Sequence, residues 1–185
     1  MQTTNATPQI FISGRIISAN NFEAEEIFIK YEIIHGTNFK LVDGNTSGET
    51  FQAVSHMNQQ RIFFDHPLSV NMSCRSIKGW PKFLLEVWAN DYHNRNYLIG
   101  YGTAYVPFNP GNNILNVMCW RPKEKIVSSL SEIFLGNTPE FIEKSAVYSN
   151  EEKFGLFALS TGTVTLELDV ILKDFNLHGI KGDDN

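Results

Sequence analysis

Alternation of apolar and polar side chains at every second position is the feature that most constrains the fold of this chain. In the segment TGTVTLELDVILKDF, the apolar positions are Val164, Leu166, Leu168, Val170 and Leu172. Successive side chains of a β-strand point to opposite faces, so this pattern predicts a strand with one face in a core and the other in water. Because no strand–helix–strand alternation competes with it, the chain is predicted to be all-β.

Similar short segments recur along the chain and are separated by turns. They are QIFISGRIIS, EIFIKYEIIHG, ETFQAVSH, RIFF, PLSVNMSC, FLLEVWAN and NYLIGYG, in addition to the segment above. About eight short strands with turns between them are typical of an antiparallel β-sandwich. The stretch VDGNTSGE and the C-terminal KGDDN are interpreted as a flexible loop and a flexible terminus.

One helix is predicted before the last strand, over residues 122–136. Pro122 suits the first helical position, where its missing amide is not needed, and Gly136 provides a C-terminal stop. Between them, apolar residues recur at helical spacing: Ile126, Leu130, Ile133 and Phe134. The predicted organisation is a flexible N-terminus over 1–9, a single domain over 10–179 that carries this helical insertion, and a flexible C-terminus over 180–185.

Charge, cysteine content and the N-terminus exclude several classes of function. A net charge of -5 provides no general attraction to phosphate backbones, so nucleic acid is not an expected partner. Cys74 and Cys119 are too few for a disulfide framework and lack metal-ligand spacing, so we expect buried free thiols in a reducing compartment. MQTTNATPQ has no signal-peptide features and no apolar run has bilayer-spanning length, which favours a cytosolic protein with at most peripheral membrane contact.

The chain carries no recognisable catalytic motif, and we predict that it is not an enzyme. It has no phosphate-binding loop, no HExxH zinc motif and no nucleophile elbow. Its five histidines are scattered without metal-ligand spacing. No catalytic residue, metal site or cofactor is therefore expected.

Two tryptophans stand beside prolines and are candidate structural or contact residues. Gly79, Trp80 and Pro81 form one such motif, and Trp120 and Arg121 begin another, WRP. We interpret Trp80 as a plug at the rim of the sandwich. Trp120 and Arg121 are either a similar plug or anchors for a partner, because tryptophan and arginine are favoured at interface hot spots.

A strand face made of small residues is a further candidate structural motif. Gly100, Gly102 and Ala104 point the same way on one strand and leave a groove. We expect a tryptophan of the same chain, Trp88 or Trp80, to fill this groove. A side chain from a partner is the alternative.

Several separated segments resemble the B9 domain, a divergent family of C2-type β-sandwiches. They are QIFISGRIISANNF, IFIKYEIIHGTNFKLVDG, HPLSV, GWPKFLLEVWANDYHNRNYLIGYGTAYVP, CWRP and GTVTLELDVILKDFNLHG, which together span nearly the whole chain. The resemblance implies a C2-like sandwich and a scaffolding role at the ciliary transition zone, next to the basal body, in cilium assembly and in gating membrane-protein entry. The implied partners are sibling B9 proteins, namely B9 domain-containing protein 1 and the Meckel syndrome type 1 protein.

Many C2 domains bind calcium through loop carboxylates, and this chain has few of them. Calcium requires about six to eight oxygen ligands. Ala89 follows Trp88 at a position where calcium-binding C2 domains typically have aspartate, and Asp91 is the only carboxylate in that loop; the matching first loop, SANNFEAEE, has no aspartate. We therefore expect no calcium site. The alternative to a scaffold is a peripheral membrane-binding C2 module that acts without calcium.

Overall fold

The computed structural model describes residues 7–55, 61–93, 95–122 and 158–175, and this part of the chain forms ten β-strands. All strand pairings among these residues are antiparallel. The strands are β1 (Gln9–Asn20), β2 (Glu26–Ile34), β3 (Phe39–Gly44), β4 (Ser47–Glu49), β5 (Ala53–Val54), β6 (Arg61–Cys74), β7 (Lys82–Asn90), β8 (Asn96–Tyr105), β9 (Gly111–Pro122) and β10 (Ala158–Lys173).

The strands form a continuous sheet that folds back on itself between β9 and β8. Their order is β3-β6-β1-β10-β9-β8-β7-β2-β4, and β5 also pairs with β2. β9 pairs with β10 along its length, but with β8 only where Trp120 faces Tyr101 and Cys119 faces Gly102. We call β3, β6, β1, β10 and β9 the first layer, and β8, β7, β2, β4 and β5 the second layer. Inward-facing side chains of both layers share one main core.

The connection between β3 and β4 joins the two layers at the other side of the sandwich. The amide of Asn45 donates to the carbonyl of Ser69 on β6 (3.4 Å), and the carbonyl of Thr46 accepts from Ile33 on β2 (2.6 Å). Gly44 has a φ of 89°, and a Cβ at this position would lie 2.3 Å from the Ser69 oxygen. Only glycine can adopt this conformation so close to the backbone of β6. The connection is thereby positioned so that Asn45 bonds to the first layer and Thr46 to the second.

The prediction of eight strands is wrong, and the differences have local causes. RIFF and PLSVNMSC form the single strand β6, which continues through Pro67 because β3 pairs only with residues 70–74 and leaves Pro67 without a neighbour on that side. The stretch VDGNTSGE, predicted to be a loop, ends β3 and contains β4; its exposed polar side chains show no alternation. Strand β9 is absent from the predicted set because several asparagines interrupt its apolar pattern.

The predicted helix over residues 122–136 lies outside the described residues, except for its first position. Pro122 is the last residue of β9 and is paired with Ala158 on β10, so its prediction as the first helical residue is wrong. A proline is tolerated at a strand end, where few ladder hydrogen bonds are required. The described residues contain no helix of four or more residues. The start of β1 at Gln9 is one residue inside the predicted flexible N-terminus.

The two cysteines are buried in the main core and unpaired, as expected from the sequence. Cys119 is 1% exposed, and burial raises the pKa of its thiol to about 12. Burial also raises the pKa of the Cys74 thiol. Both thiols are therefore protonated at neutral pH and act as small apolar side chains.

The motif formed by Gly79, Trp80 and Pro81 closes one end of the core. Gly79 has a φ of 84°, and its carbonyl accepts a hydrogen bond from the amide of Gly36 (2.8 Å). The indole nitrogen of Trp80 donates to the carbonyl of Val106 (2.8 Å), whose own amide donates to the Pro81 carbonyl (3.0 Å). The Trp80 ring lies 4.7–6.3 Å from the rings of three phenylalanines, which are Phe39, Phe108 and Phe175.

Gly100 and Gly102 face the main core, where β9 packs closely against them. A Cβ at Gly102 would lie 2.9 Å from the Cys119 sulfur and 3.0 Å from a Val117 methyl carbon. At Gly100 it would lie 2.5 Å from the Thr161 hydroxyl oxygen. Trp88 packs with Leu84, Leu98 and Tyr101 instead, so the expectation that Trp88 fills the groove is wrong, whereas the same expectation for Trp80 stays a prediction.

The position of Trp88 follows from an irregularity in the pairing of β7 with β8. Val87 pairs with Gly100, but Trp88 pairs with Leu98, so one extra residue of β8 is accommodated between them. Val87 belongs to the main core, whereas Trp88 packs with Leu98 on the outer side of the layer. The register therefore directs the tryptophan away from the glycine face.

Replacing Gly102 with leucine is expected to destabilise the fold. The extra carbons would displace Cys119 and Val117, and overpacking of a dense core usually costs about 1–3 kcal/mol. Urea denaturation followed by circular dichroism measures the change in the free energy of unfolding. Met118→Leu, on the facing strand β9 at a 71% exposed position, is the matched control and should change this free energy by less than about 0.5 kcal/mol. A Gly102→Leu protein as stable as the control would contradict the packing argument.

Candidate protein-interaction surface

The outer face of the second layer carries a small apolar cluster that is separate from the main core. Leu84, Leu98 and Tyr101 are 2%, 4% and 3% exposed, and Ile34, Trp88 and Trp120 pack against them. Leu85 and Val87 belong to the main core, so Leu84 and its alternate neighbours on β7 point outward. We call the six residues the outer cluster.

A row of paired residues crosses the outer face from β4 to β9. In register, the row consists of Glu49, Lys30, Glu86, Tyr101 and Trp120. Directly paired residues have Cβ atoms about 4.5–5.5 Å apart, so these side chains form a continuous strip. The strip is charged at the β4 end and aromatic at the β9 end.

A lysine is held over two aromatic rings at the centre of this face. The Lys30 Nζ lies 4.8 Å from the ring centroid of Trp88 and 5.7 Å from that of Phe28, and the two rings are stacked at 6.4 Å. The Trp88 indole nitrogen donates to the carboxylate of Glu86 (3.2 Å), which is 5% exposed. Cation–π attraction and this hydrogen bond fix the side chains in one arrangement, which lowers the entropy that a partner would have to remove.

Trp120 and Arg121, the candidate partner-contact residues, leave β9 in different directions. The Trp120 ring lies 6.1 Å from the ring of Tyr101 and packs against the outer cluster. Arg121 follows it on the strand, opposite Leu159 of β10, so its side chain starts from the other face of β9. The structure brings Trp120 together with Trp88 in one cluster, but it does not place Arg121 on the same face.

Lys30, Glu86 and Tyr101 are among the members of this surface that sequence reasoning missed. Each occupies an outward position in the alternation of its own strand, and no single segment indicates that these three residues lie side by side. The strip exists only through the register between strands, which depends on pairing across distant parts of the chain. The stretch FLLEVW did contain a signal, since Glu86 is an acidic residue within an apolar run.

Asp91, the only carboxylate of the loop after β7, accepts hydrogen bonds from other residues of the same loop. One oxygen of Asp91 accepts hydrogen bonds from the backbone amides of His93 (2.8 Å) and Arg95 (2.9 Å). The other accepts from the Arg95 side chain, with Nε at 2.8 Å and Nη2 at 2.7 Å. The Arg95 amide, then the Arg95 side chain and the His93 amide, lower the pKa of Asp91. Both oxygens are thus engaged by donors, and the negative charge is balanced by arginine.

An open cleft of 730 Å³ lies between this loop and the chain before β2. Asp91 lines one side, and Glu23, Glu25 and Glu26 line the other. Across residues 7–55, 61–93, 95–122 and 158–175, no group of three or more histidine, cysteine or acidic side chains is arranged to hold a metal ion. The absence of a calcium site stays a prediction, now with a structural reason in the pairing of Asp91 with Arg95.

Within the described ranges, no helix is both long enough and apolar enough to cross a membrane.

The described residues form an antiparallel β-sandwich with the outer cluster on its second layer and the Asp91–Arg95 ion pair in the loop after β7. A family model described as "Ciliary basal body-associated, B9 protein" matches residues 10–171. The chain therefore belongs to the B9 family, and the resemblance identified in its sequence is confirmed.

Individual relatives match the chain over nearly all of its length. B9 domain-containing protein 2 of Danio rerio is 32% identical, and that of Homo sapiens is 30% identical; each alignment covers 94% of this chain and 98% of the relative. B9 domain-containing protein 1 of Xenopus laevis is 25% identical over 93% of this chain and 89% of its own. Among solved structures, a C2 domain of plant Extended Synaptotagmin 1 matches with a TM-score of 0.43 and 12% identity, over 90% of this chain and 96% of that one.

Calcium is expected to leave the stability of this protein unchanged. Both oxygens of the Asp91 carboxylate already accept hydrogen bonds. A calcium ion would have to break the Asp91–Arg95 ion pair, and the loop has no further carboxylates to bind it. Thermal unfolding in millimolar Ca²⁺ and in EDTA should give the same midpoint. A midpoint that rises with Ca²⁺ concentration would show that an ion binds the folded state.

The loop closed by Asp91 is expected to loosen only under acidic conditions. The pKa of Asp91 is lowered in the folded state. Its ionised carboxylate therefore stabilises the closed loop above the ordinary carboxyl pKa, and this stabilisation is lost as pH falls through the lowered pKa. The amide resonances of His93 and Arg95 should therefore move together during an acid titration followed by NMR. Asp91→Asn should abolish that shared transition; amides that titrate identically in this variant would contradict the assignment.

Proposed function

We propose that this chain is a non-enzymatic scaffold of the ciliary transition zone. The observation that carries the proposal is the B9 family match over residues 10–171, a family described as ciliary basal body-associated. In this role the protein works in the cytoplasm at the ciliary base, within a complex of the Meckel-syndrome type. It contributes to cilium assembly and to the gate that controls membrane-protein entry.

The proposed partners are sibling B9 proteins, namely B9 domain-containing protein 1 and the Meckel syndrome type 1 protein. A scaffold of this kind needs rigid surfaces with large anchoring side chains, and no reaction chemistry. The outer face of the second layer fits that requirement through Trp88, Trp120 and the fixed Lys30. Binding energy at interfaces is concentrated in such aromatic anchors, while surrounding contacts mainly exclude water.

A calcium-independent membrane-binding module has less support from the described loops. Tyr92, which is 90% exposed, is the large apolar side chain at the tip of the loop after β7. The nearby cation of Arg95 is paired with Asp91, and Glu23, Glu25 and Glu26 lie across the cleft. Carboxylates at this end would oppose binding to anionic lipid.

Replacing Trp120 with alanine is expected to weaken binding to purified B9 domain-containing protein 1 by about tenfold or more. Truncation of an aromatic hot spot commonly removes about 2 kcal/mol, and about 1.4 kcal/mol corresponds to a factor of ten. Arg121→Ala should have a smaller effect, because its side chain leaves the strand from the other face. Biolayer interferometry measures the affinities. The double variant Trp120→Ala, Arg121→Ala tests whether the two residues together anchor the partner.

Ile171→Ala is the matched control, because Ile171 is 59% exposed on the other layer and lies away from the outer cluster. Circular dichroism and thermal unfolding establish that each variant is folded. A folded Trp120→Ala protein that binds normally would exclude Trp120 as an anchor. Calcium-independent flotation of the full chain with anionic vesicles, together with no affinity for the sibling proteins, would favour the membrane-binding alternative.

A further inference from the structure

The edge of strand β9 is open over residues 111–118. β8 pairs with β9 only at Cys119 and Trp120, and no other described strand lies beside residues 111–118 on that side. Every second residue of this stretch therefore directs its amide and carbonyl away from β10, where no described strand receives them. A row of this kind binds another extended backbone when nothing prevents it. The proposed scaffold function does not depend on this edge.

The two long open edges of the described residues differ in how they are protected. The edge of β6, residues 61–69, contains Arg61, and Asp65 has a φ of 45°. Pro67 on the same edge has no amide to donate. Charges, proline and irregular backbone are features by which edge strands avoid pairing with other molecules. The edge of β9 has the sequence GNNILNVM, without a charged residue or a proline. Of the two, the β9 edge alone is therefore suited to strand addition.

The outward side chains of the β9 edge are arranged symmetrically about Ile114. Ile114 is 63% exposed, and Asn112 and Asn116 lie two positions before and after it on the same face. When two identical strands pair across a two-fold axis, residue i lies opposite residue j and residue j lies opposite residue i. With the axis at Ile114, this isoleucine faces its own copy, and Asn112 faces Asn116 of the second copy. The paired residues, 111–117, then all lie within the open stretch.

The two asparagines have complementary hydrogen-bonding groups left over. The Asn112 side-chain amide donates to a carboxylate oxygen of Glu167 (3.3 Å), and its side-chain oxygen accepts from no described group. The Asn116 side-chain oxygen accepts from the Thr165 hydroxyl (3.1 Å), and its amide donates to no described group. A donor on Asn116 would thus face an acceptor on Asn112 of the second copy, with Cβ atoms about 4.5–5.5 Å apart.

The absence of charge makes this edge compatible with its own copy. A two-fold axis brings identical residues together, so a charged edge would repel itself. Residues 111–118 carry no charge, and the neighbouring Glu167 is paired with Arg15 (Nε to Oε2 2.8 Å). An isoleucine opposite an isoleucine also removes apolar surface from water on both strands. An extended segment of another protein could form the same backbone hydrogen bonds, but these side-chain matches belong to the pairing of two copies.

We propose that two copies of this chain pair through residues 111–117 of β9, antiparallel and about a two-fold axis at Ile114. The first layer has five strands in each copy, so the two layers become one continuous sheet of ten strands. The pairing provides about six backbone hydrogen bonds in addition to the side-chain contacts. Because the paired stretch is short, the dimer is weak and forms at high protein concentration.

Sedimentation velocity of the full chain measures this self-association. The unmodified protein should shift from monomer to dimer as its concentration rises from the low to the high micromolar range. Ile114→Lys should weaken the dimer by about tenfold or more, because two ammonium groups would face each other across the axis. Ile171→Lys makes the same change at a 59% exposed position of β10, outside the paired stretch, and should leave the dimerisation constant within about twofold. Thermal unfolding establishes that both variants are folded.

Two cysteine variants test the register. Asn112→Cys and Asn116→Cys place thiols directly opposite each other between copies, at a distance that a disulfide can bridge. Mild oxidation of an equimolar mixture should give a crosslinked dimer on a non-reducing gel. Each variant alone should remain uncrosslinked, because its two thiols would lie four residues apart along the strands, or about 13 Å. The native thiols of Cys74 and Cys119 are buried and do not compete.

Several results would overturn the proposal. A monomer at every concentration would do so, as would a dimer that Ile114→Lys and Ile171→Lys weaken equally. Crosslinks within one cysteine variant, without a crosslink in the mixture, would exclude the axis at Ile114. If Ile114→Lys does not fold, the cysteine mixture decides alone. Association of the unmodified chain with a sibling B9 protein through position 114, without any dimer of the chain itself, would exclude a second copy as the occupant.

Discussion

The two layers of this sandwich depend on a very short contact between β9 and β8. Only Cys119 with Gly102 and Trp120 with Tyr101 are paired there, and at Gly102 the two strands approach closely. Gly102 permits it by presenting no side chain to the sulfur of Cys119. One residue further along, the same contact places Trp120 on the outer cluster. Core packing and the outer aromatic surface are thus set by adjacent residues of one strand.

The two outer faces differ in how their polar groups are handled. On the second layer, Lys30 and Glu86 are fixed against Trp88 in an aromatic setting. On the first layer, the side chains of Asn20, Thr165 and Asn116 are linked by hydrogen bonds, and Arg61 donates to the Ser18 hydroxyl. The two outer faces therefore differ in the side chains that they offer to a neighbouring molecule.

The sequence predicted the all-β class and the long strands because alternation in segments such as that of Val164 to Leu172 reports burial directly. It missed strands whose side chains are exposed on both faces, as in β4, and it could not show that β6 continues through Pro67, because this depends on which neighbour is absent. The loss of carboxylates around Asp91 was visible in the sequence, whereas its pairing with Arg95 required coordinates. The strip from Glu49 to Trp120 also required them, since it is assembled from several strands and their register.

The connection between β3 and β4 has a consequence for how copies of this protein meet. Both outermost strands of the sheet belong to one short stretch of chain, and β4 has only three residues. β3 has six residues and β4 has three, so neither of these two strands offers a long row of unpaired amides and carbonyls to a sheet of another molecule. At these two edges, pairing between copies is limited to a few backbone hydrogen bonds. Within the described residues, the longer open edges are residues 61–69 of β6 and 111–118 of β9, which have no paired strand on one side.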